Sequence, residues 1–330
     1  MWSIVSRSST GRIIMGKFNV GIIGVGYWGK KLVDEFTKVE SVKVVGVSDV
    51  DEKNLAFCAD RYGVKTGYKD YRQLLSRGDL HAVVVATPNN THYQICRDAL
   101  EAGKHVLVEK PITLSSKEGK ELVDLAQRKE LTLSVGHIFR FNNALAEVRR
   151  LIKEEKFFGR LFLMEQDWTN LEKPFPDRDV LFDLAPHMFD IQNYLFGQWP
   201  VEVSCVGGPF RRAQGEETAY VTSVFADGAI AMANISWLVP RKTRQIVLVG
   251  ENRTAIVDAV AQEVTVYESG YTYKLHVERN NTIRDELVHF VKSFSDPATE
   301  TRNSGSVGVR TVELIEAAKR SMAEKRAVRL

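Results

Sequence analysis

Between Phe18 and His137, short runs of Val, Ile and Leu alternate with stretches whose apolar residues recur at helical spacing. This is the pattern of a parallel sheet joined by helical crossovers. Strands are predicted at 19–23, 42–48, 82–86, 105–109 and 131–136, each rich in Val, Ile or Leu, as expected where both faces are buried. Two capping boxes, Thr91-His92-Tyr93-Gln94 and Ser115-Ser116-Lys117-Glu118, place helix starts after the third and fourth of these strands. Beyond Arg140 the texture changes. One amphipathic helix (Ala144, Leu145, Val148, Leu151, Ile152) leads into strand-like runs at 161–168, 201–206, 219–225, 230–237, 245–249, 255–260 and 264–267. Most are separated by turns too short for a parallel crossover, so the second sheet is predicted to be mostly antiparallel. Two closing helices follow from the spacing of Leu287, Phe290, Val291 and Phe294, and of Val309, Val312, Ile315 and Met322. The chain thus reads as an α/β protein: an extension at 1–17, a Rossmann-type doubly wound parallel sheet at 18–140, and an α+β domain with a large, mostly antiparallel sheet at 141–330.

Composition narrows the partners. A chain of 330 residues, 44% hydrophobic, can bury the cores of two domains. Its 45 basic and 42 acidic residues are interleaved and form no basic stripe, which argues against nucleic acid. Cys58, Cys96 and Cys205 lie far apart without CxxC spacing, and an odd number cannot pair completely, so a reducing, cytoplasmic location is expected. Charged residues interrupt every apolar stretch before the roughly twenty needed to cross a bilayer, so no membrane association is expected. The first 17 residues have no apolar centre of signal-peptide length, and Met15 precedes the first strand; they read as a frayed extension or an upstream start.

The strongest motif is Gly24-Val25-Gly26-Tyr27-Trp28-Gly29, which follows a predicted strand and opens a predicted helix. Gly24 allows a tight turn, Gly26 lets a pyrophosphate approach the backbone, and Gly29 lets helix and sheet pack closely. The helix N-terminus supplies N–H groups to the phosphates. Asp49, at the end of the second strand, is placed for ribose hydroxyls, and its charge repels a 2′-phosphate, favouring NAD; Arg61 or Lys53 leaves NADP open. A glycine turn that binds nothing is the bland alternative. The ordered succession of strand, turn, helix, strand and acid speaks against it. Tyr27 and Trp28 either contact the dinucleotide or pack beneath the loop.

At Glu109-Lys110-Pro111 the chain resembles the glucose–fructose oxidoreductase / inositol dehydrogenase / MocA family. The likeness extends through Gly26-Tyr27-Trp28-Gly29-Lys30, Ala86-Thr87-Pro88-Asn89-Asn90-Thr91-His92, 102–111, Gly136-His137-Ile138-Phe139-Arg140-Phe141-Asn142 and Asp183-Leu184-Ala185-Pro186-His187. The resemblance implies a Rossmann domain followed by a large open sheet, dimers or tetramers through that sheet, and redox chemistry at a sugar-like hydroxyl. It assigns Lys110, Asp183 and His187 as the catalytic set, and Thr87, Pro88, Asn89 and His92 as the loop lining the nicotinamide side; Glu109 and Lys110 are expected to contact the cofactor too. The branch it most resembles handles nucleotide sugars.

Removing a hydride from a secondary alcohol requires the hydroxyl proton to leave as well. His187 is the natural base, since an imidazole titrates near about pH 6.5, and the Lys110 ammonium would stabilise alkoxide character. Pro186 suggests a helix starting between Asp183 and His187, with Asp183 as its cap. Asp190 either orients His187 or sits exposed in the first turn. Arg140 and Asn142 are expected, with Lys110 and His187, to grasp substrate. No HxxxH or CxxC spacing supports a metal site. Two other classes stay open: a dinucleotide-binding regulator without catalysis, which would not need both Lys110 and His187, and a redox-neutral enzyme that retains its NAD.

Overall fold

A computed structural model of the chain describes residues 5–7, 13–15, 17–154 and 156–330. The expected frayed extension lies mostly outside the described residues; within it β1 (Val5–Arg7) and β2 (Ile13–Met15) pair as an antiparallel ribbon. Contacts divide the chain into two units. The first comprises Met1–Glu109, Glu121–Ser134 and Ile283–Ser304, the second Lys110–Lys120, Val135–Thr282 and Gly305–Leu330.

The first unit follows the predicted alternation: β3 (Phe18–Ile23), α1 (Tyr27–Phe36), β4 (Val42–Ser48), α2 (Glu52–Tyr62), β5 (Gly67–Tyr68), α3 (Tyr71–Leu75), β6 (Ala82–Val85), α4 (His92–Glu101), β7 (His105–Val108), α5 (Ser116–Arg128) and β8 (Leu133–Val135). The sheet order is β5-β4-β3-β6-β7-β8, with parallel pairing along β5, β4, β3, β6 and β7. Strand order reverses beside β3, and the carboxyl ends at such a reversal are where open α/β sheets bind ligands. The edge strand β5 was not foreseen, because two residues are too short to register as an apolar run.

In the second unit, α6 (Asn143–Lys153) is followed by β9 (Leu161–Leu171), α7 (Val180–Phe196), β10 (Glu202–Gly208), β11 (Thr218–Val224), β12 (Ile230–Ser236), β13 (Leu238–Gly250), β14 (Thr254–Asp258), β15 (Glu263–Glu268) and β16 (Tyr271–Lys274). After α8 (Thr282–Ser295) come α9 (Gly305–Glu324) and β17 (Val328–Arg329). The nine strands run β16-β15-β14-β13-β9-β12-β11-β10-β17, antiparallel except for the parallel pair β12–β9. Met164, Gln166 and Trp168 of β9 alternate into the core with Ile246 and Leu248 of β13, where Leu181, Leu184, Met188 and Phe189 of α7 meet them. Twelve of the 17 residues of α7 are buried, and the helix stops at Gly197 in the left-handed conformation, φ 73°.

Helix α8 departs from the contiguous partition at residue 140. It follows the antiparallel sheet in sequence, yet Leu287, Phe290 and Val291 pack into the core of the parallel-sheet unit with Val20, Phe36 and Leu107. Helical spacing reveals that these residues are buried but carries no information about which core receives them. No helix among the described residues is long and apolar enough to cross a membrane.

Candidate active site

The glycine loop separates three requirements. Gly24 has φ +85°, and a Cβ there would lie 2.6 Å from the Ala86 carbonyl oxygen. A Cβ on Gly29 would lie 1.9 Å from the Gly24 carbonyl oxygen. Gly26 is different: a Cβ there would meet nothing within 4 Å, so the protein's own packing does not demand glycine. Gly26 caps α1 without any side-chain hydrogen bond. Open space before a bare helix N-terminus fits a pyrophosphate. Asp49 accepts from the backbone N–H of Val25 (2.8 Å) and of Asp51 (2.9 Å), tying the loop to the end of β4. Each carboxylate oxygen keeps lone-pair capacity for a ribose hydroxyl.

Around the loop, the Trp28 indole donates to Glu109 Oε1 (2.5 Å), while Tyr27 is 80% exposed. The Thr91 hydroxyl lies 2.7 Å from the Pro88 carbonyl and 2.7 Å from the Thr87 hydroxyl. The expected capping box at Thr91 therefore does not form; α4 starts from a 3-10 turn at Asn89–Thr91. His92 is fully buried, with Nε2 3.0 Å from the Thr87 carbonyl oxygen. That contact braces the Thr87-Pro88-Asn89 loop expected to line the cofactor.

The second constellation belongs wholly to the second unit. Lys110 donates to both the carboxylate (Oδ1, 3.0 Å) and the main-chain carbonyl (2.6 Å) of Asp183, with both side chains largely buried. The other carboxylate oxygen accepts from the Trp237 indole at 3.1 Å. Burial alone would raise the Asp183 carboxyl; the Lys110 ammonium, by charge and hydrogen bond, outweighs it with help from Arg178 and Trp237, and holds it below its ordinary value. Helix α7 starts earlier than Pro186 implied. Asp179 caps it, accepting from the Phe182 N–H at 3.0 Å, and the helix continues through Pro186. Asp183 is thus no cap, and it shares a helix face with His187 one turn on.

His187 is half-buried, packed edge-on against Phe139 (5.1 Å between ring centroids), which in turn packs edge-on against Trp168 (5.1 Å). Its Nδ1 is enclosed with no hydrogen-bond partner among the described residues. Burial, then the charge of Lys110 and the neighbouring His137 and Arg244, push its pKa well below the ordinary histidine value. The ring is therefore neutral at physiological pH and able to accept a proton.

Two expected substrate-binding residues are committed elsewhere. Arg140, 9% exposed, donates from Nε to Asp190 (2.6 Å) and from Nη2 to Asn193 (2.8 Å). Asn142, 1% exposed, caps α6 by accepting from Ala144 and Leu145 and straps it to the Ala259 carbonyl. Both were expected to grasp substrate, and tertiary packing buries them. Asp190, 1% exposed, neither orients His187 nor faces water; it neutralises Arg140.

His137, 1% exposed, is pushed down to about 4 by burial, with Asp190 opposing and Arg140 and Lys110 reinforcing the shift; burial takes His105 to about 4 as well. Between these values and about 6.5 the unfolded chain binds protons that the folded chain does not. Stability is expected to be full near pH 7 and to fall as pH drops toward 4, by about 1.4 kcal/mol per pH unit for each such histidine. Urea unfolding at pH 7, 6 and 5 checks this. His137→Phe should flatten the slope by one histidine's share; an unchanged slope would contradict the assignment.

Sequence reasoning missed Trp237 and Arg244. Trp237 ends an apolar run and read as core, which it also is. Arg244 stands opposite Trp168 in the β9–β13 ladder, its guanidinium over that ring at 5.6 Å. Only the pairing register places it on the α7 face. Among the described residues, no group of three or more His, Cys, Asp or Glu is arranged to hold a metal.

A parallel sheet with a glycine loop at its order reversal, joined in one chain to a buried Lys–Asp pair beside a neutral His, defines a dinucleotide-linked oxidoreductase. Residues 18–137 match the oxidoreductase family described as an NAD-binding Rossmann fold, and residues 146–256 match the GFO/IDH/MocA C-terminal domain. The chain belongs to the GFO/IDH/MocA oxidoreductase family. It is 30% identical to UDP-N-acetylglucosamine 3-dehydrogenase of Acidithiobacillus ferrooxidans over 82% of this chain and 83% of that one. It is 26% identical to myo-inositol 2-dehydrogenase of Thermotoga maritima over 94% and 98%. A solved structure of the Acidithiobacillus enzyme superposes with TM-score 0.84 at 25% identity, covering 94% of this chain and 99% of that one.

Proposed function

We propose that the chain oxidises a secondary hydroxyl of a sugar, sugar derivative or nucleotide sugar, or reduces the corresponding ketone, with NAD as the preferred cofactor. The observation that carries this reading is the Lys110–Asp183 pair with the half-buried His187 one helical turn on from Asp183. Relatives named for dehydrogenation of UDP-N-acetylglucosamine and myo-inositol support the substrate class.

Bound nicotinamide supplies the hydride acceptor at C4. Lys110 has three N–H donors; Asp183 takes two, leaving one for the substrate oxygen. That donor stabilises negative charge on the oxygen as its carbon loses hydride. His187 accepts the hydroxyl proton through Nε2, since Nδ1 is enclosed, and its depressed pKa returns the proton readily to solvent. Asp183 keeps the ammonium in place and offsets its charge. In the reducing direction the same groups deliver the proton.

Purified protein screened against sugars and nucleotide sugars for absorbance at 340 nm, with NAD and NADP in parallel, tests the proposal. At least one compound should give NADH faster than NADPH. No turnover with any member of either class would overturn it.

Asp49 sets a further expectation. As a loop clamp alone, Asp49→Ala would weaken NAD and NADP equally; as a ribose-binding acid that repels a 2′-phosphate, it should weaken NAD by about tenfold and narrow the preference over NADP. Calorimetric titration with both cofactors decides between them. The family resemblance also leads us to propose a dimer or tetramer through the nine-stranded sheet. The face directed away from α7 exposes Val206, Tyr220, Ile230 and Met232. Tyr220→Glu with Met232→Lys should shift the sedimentation coefficient to that of the monomer; a wild type already monomeric at micromolar concentration would refute the arrangement.

A further inference from the structure

Arg244 is held through neutral acceptors. Its Nη1 donates to the carbonyls of Thr169 (2.9 Å) and Thr243 (2.7 Å), and its Nη2 to Asn170 Oδ1 (3.0 Å). Those are neutral acceptors, and no carboxylate reaches ion-pair distance among the described residues. Two of its five N–H donors, including Nε–H, stay uncommitted. Burial brings the guanidinium down to about 10, opposed by the nearby Asp183 and Glu172 carboxylates. Enclosing an unpaired charge is costly, and a fixed, partly dehydrated guanidinium is the group that binds carboxylate or phosphate most strongly.

The surroundings extend the same chemistry. Arg244 grips β9 at Thr169 and Asn170, and a concavity of about 540 Å3 opens at the next residues, lined by Leu171, Glu172, Lys173, Pro174, Phe175 and Arg211. Arg211 is neutralised by Glu217 at 2.7 Å, whereas exposed Lys173 forms no ion pair among the described residues. The wall of this concavity reaches the reacting groups through two contacts: Phe175 packs edge-on against Trp237 (5.4 Å between centroids), and Trp237 bonds Asp183. Arg244 in turn is close enough to depress the His187 pKa. Arg244 and Lys173 thus put two cations without an ion pair among the described residues near this concavity, with the Glu172 carboxylate next to Lys173 in sequence and close enough to act on Arg244, and Trp237 links its wall to Asp183.

We propose that Arg244, assisted by Lys173, binds an anionic group, phosphate or carboxylate, carried by the substrate at a distance from its reacting carbon. The substrate is then an acidic or phosphorylated sugar rather than a neutral one. This rests on the proposed function for the word substrate, but the subsite itself can be tested without turnover.

NAD-saturated protein, in which the glycine loop is filled, is titrated by calorimetry with inorganic phosphate, glucose 1-phosphate, glucuronate and glucose. The anions should bind at least about tenfold more tightly than glucose, and their affinity should weaken as salt is raised. Loss of charge-assisted hydrogen bonds in Arg244→Gln should cost about tenfold to hundredfold for the anions and shrink the anion-to-glucose ratio accordingly. Lys173→Gln, at an exposed position that leaves folding intact, should lower the same ratio by a few-fold. Glucose 1-phosphate against glucuronate separates phosphate from carboxylate. Equal binding of glucose and the anions, absence of anion binding, or an unchanged ratio in both variants would overturn the subsite. Anion preference without any sugar oxidation at 340 nm would instead sink the redox reading and leave the subsite standing.

Discussion

Lys110→Met and His187→Ala should each lower turnover by about 10²-fold or more while NAD affinity holds within a few-fold. Both side chains are proposed to act on the substrate oxygen, whereas the groups expected to bind the cofactor phosphates and ribose are at the glycine loop and Asp49. Met retains the length of the lysine stem, so Lys110→Met removes charge and donors with little loss of packing. Asp183 keeps the Trp237 bond but loses its charge partner, so a lower melting temperature is expected and turnover is compared at a temperature where the variant is folded. If ammonium and imidazole form one proton-handling unit, the double variant should lose much less than the product of the single losses. Stopped-flow turnover and calorimetry on all four proteins measure this. Single variants that turn over within a few-fold of wild type would place the chemistry on other residues.

Gly26→Val should abolish detectable dinucleotide binding, a loss of at least about 100-fold, with little change in melting temperature. The asymmetry follows from the loop. The space before Gly26 is empty in the protein itself, so a branched side chain clashes only with a pyrophosphate. Gly29→Val is the contrasting variant, because any Cβ there strikes the Gly24 carbonyl at 1.9 Å and the turn must open. It should lower both binding and melting temperature. Normal NAD binding by folded Gly26→Val would remove the loop from the cofactor site.

The parts of the fold that were legible are those written in local pattern. Val42–Ser48 appears in the sequence as it does in the sheet, because a strand buried on both faces is rich in apolar residues, here Val42, Val44, Val45 and Val47, with Lys43 exposed near its start. The glycine spacing carried its meaning because two of the three positions are forced by collisions with backbone carbonyls: Gly29 with Gly24 inside the loop, and Gly24 with Ala86 just after β6. Helix α7 was harder to place, since a helix buried nearly all round has little polar face to set its period, and Pro186 looked like a start rather than an interior residue. Arg140, Asn142 and His92 are buried and bonded to the protein's own groups, which the sequence did not show. A polar residue next to a motif is indistinguishable in sequence from one that serves the motif by bracing it, and only burial and partners tell them apart. The placement of Arg244 lay beyond reach because it depends on cross-strand register with Trp168, after a register shift between Leu238 and Thr243.

The central claim is that this chain moves hydride from a sugar-type carbon to NAD. A substrate found at 340 nm, deuterated at the carbon that becomes the carbonyl, tests it in a single turnover with enzyme in excess. The reduced cofactor should gain about one mass unit over that from unlabelled substrate, with slowed NADH formation and the label at C4 of the nicotinamide. Reduced cofactor carrying no deuterium, or product formed while NAD stays oxidised throughout the turnover, would contradict the account.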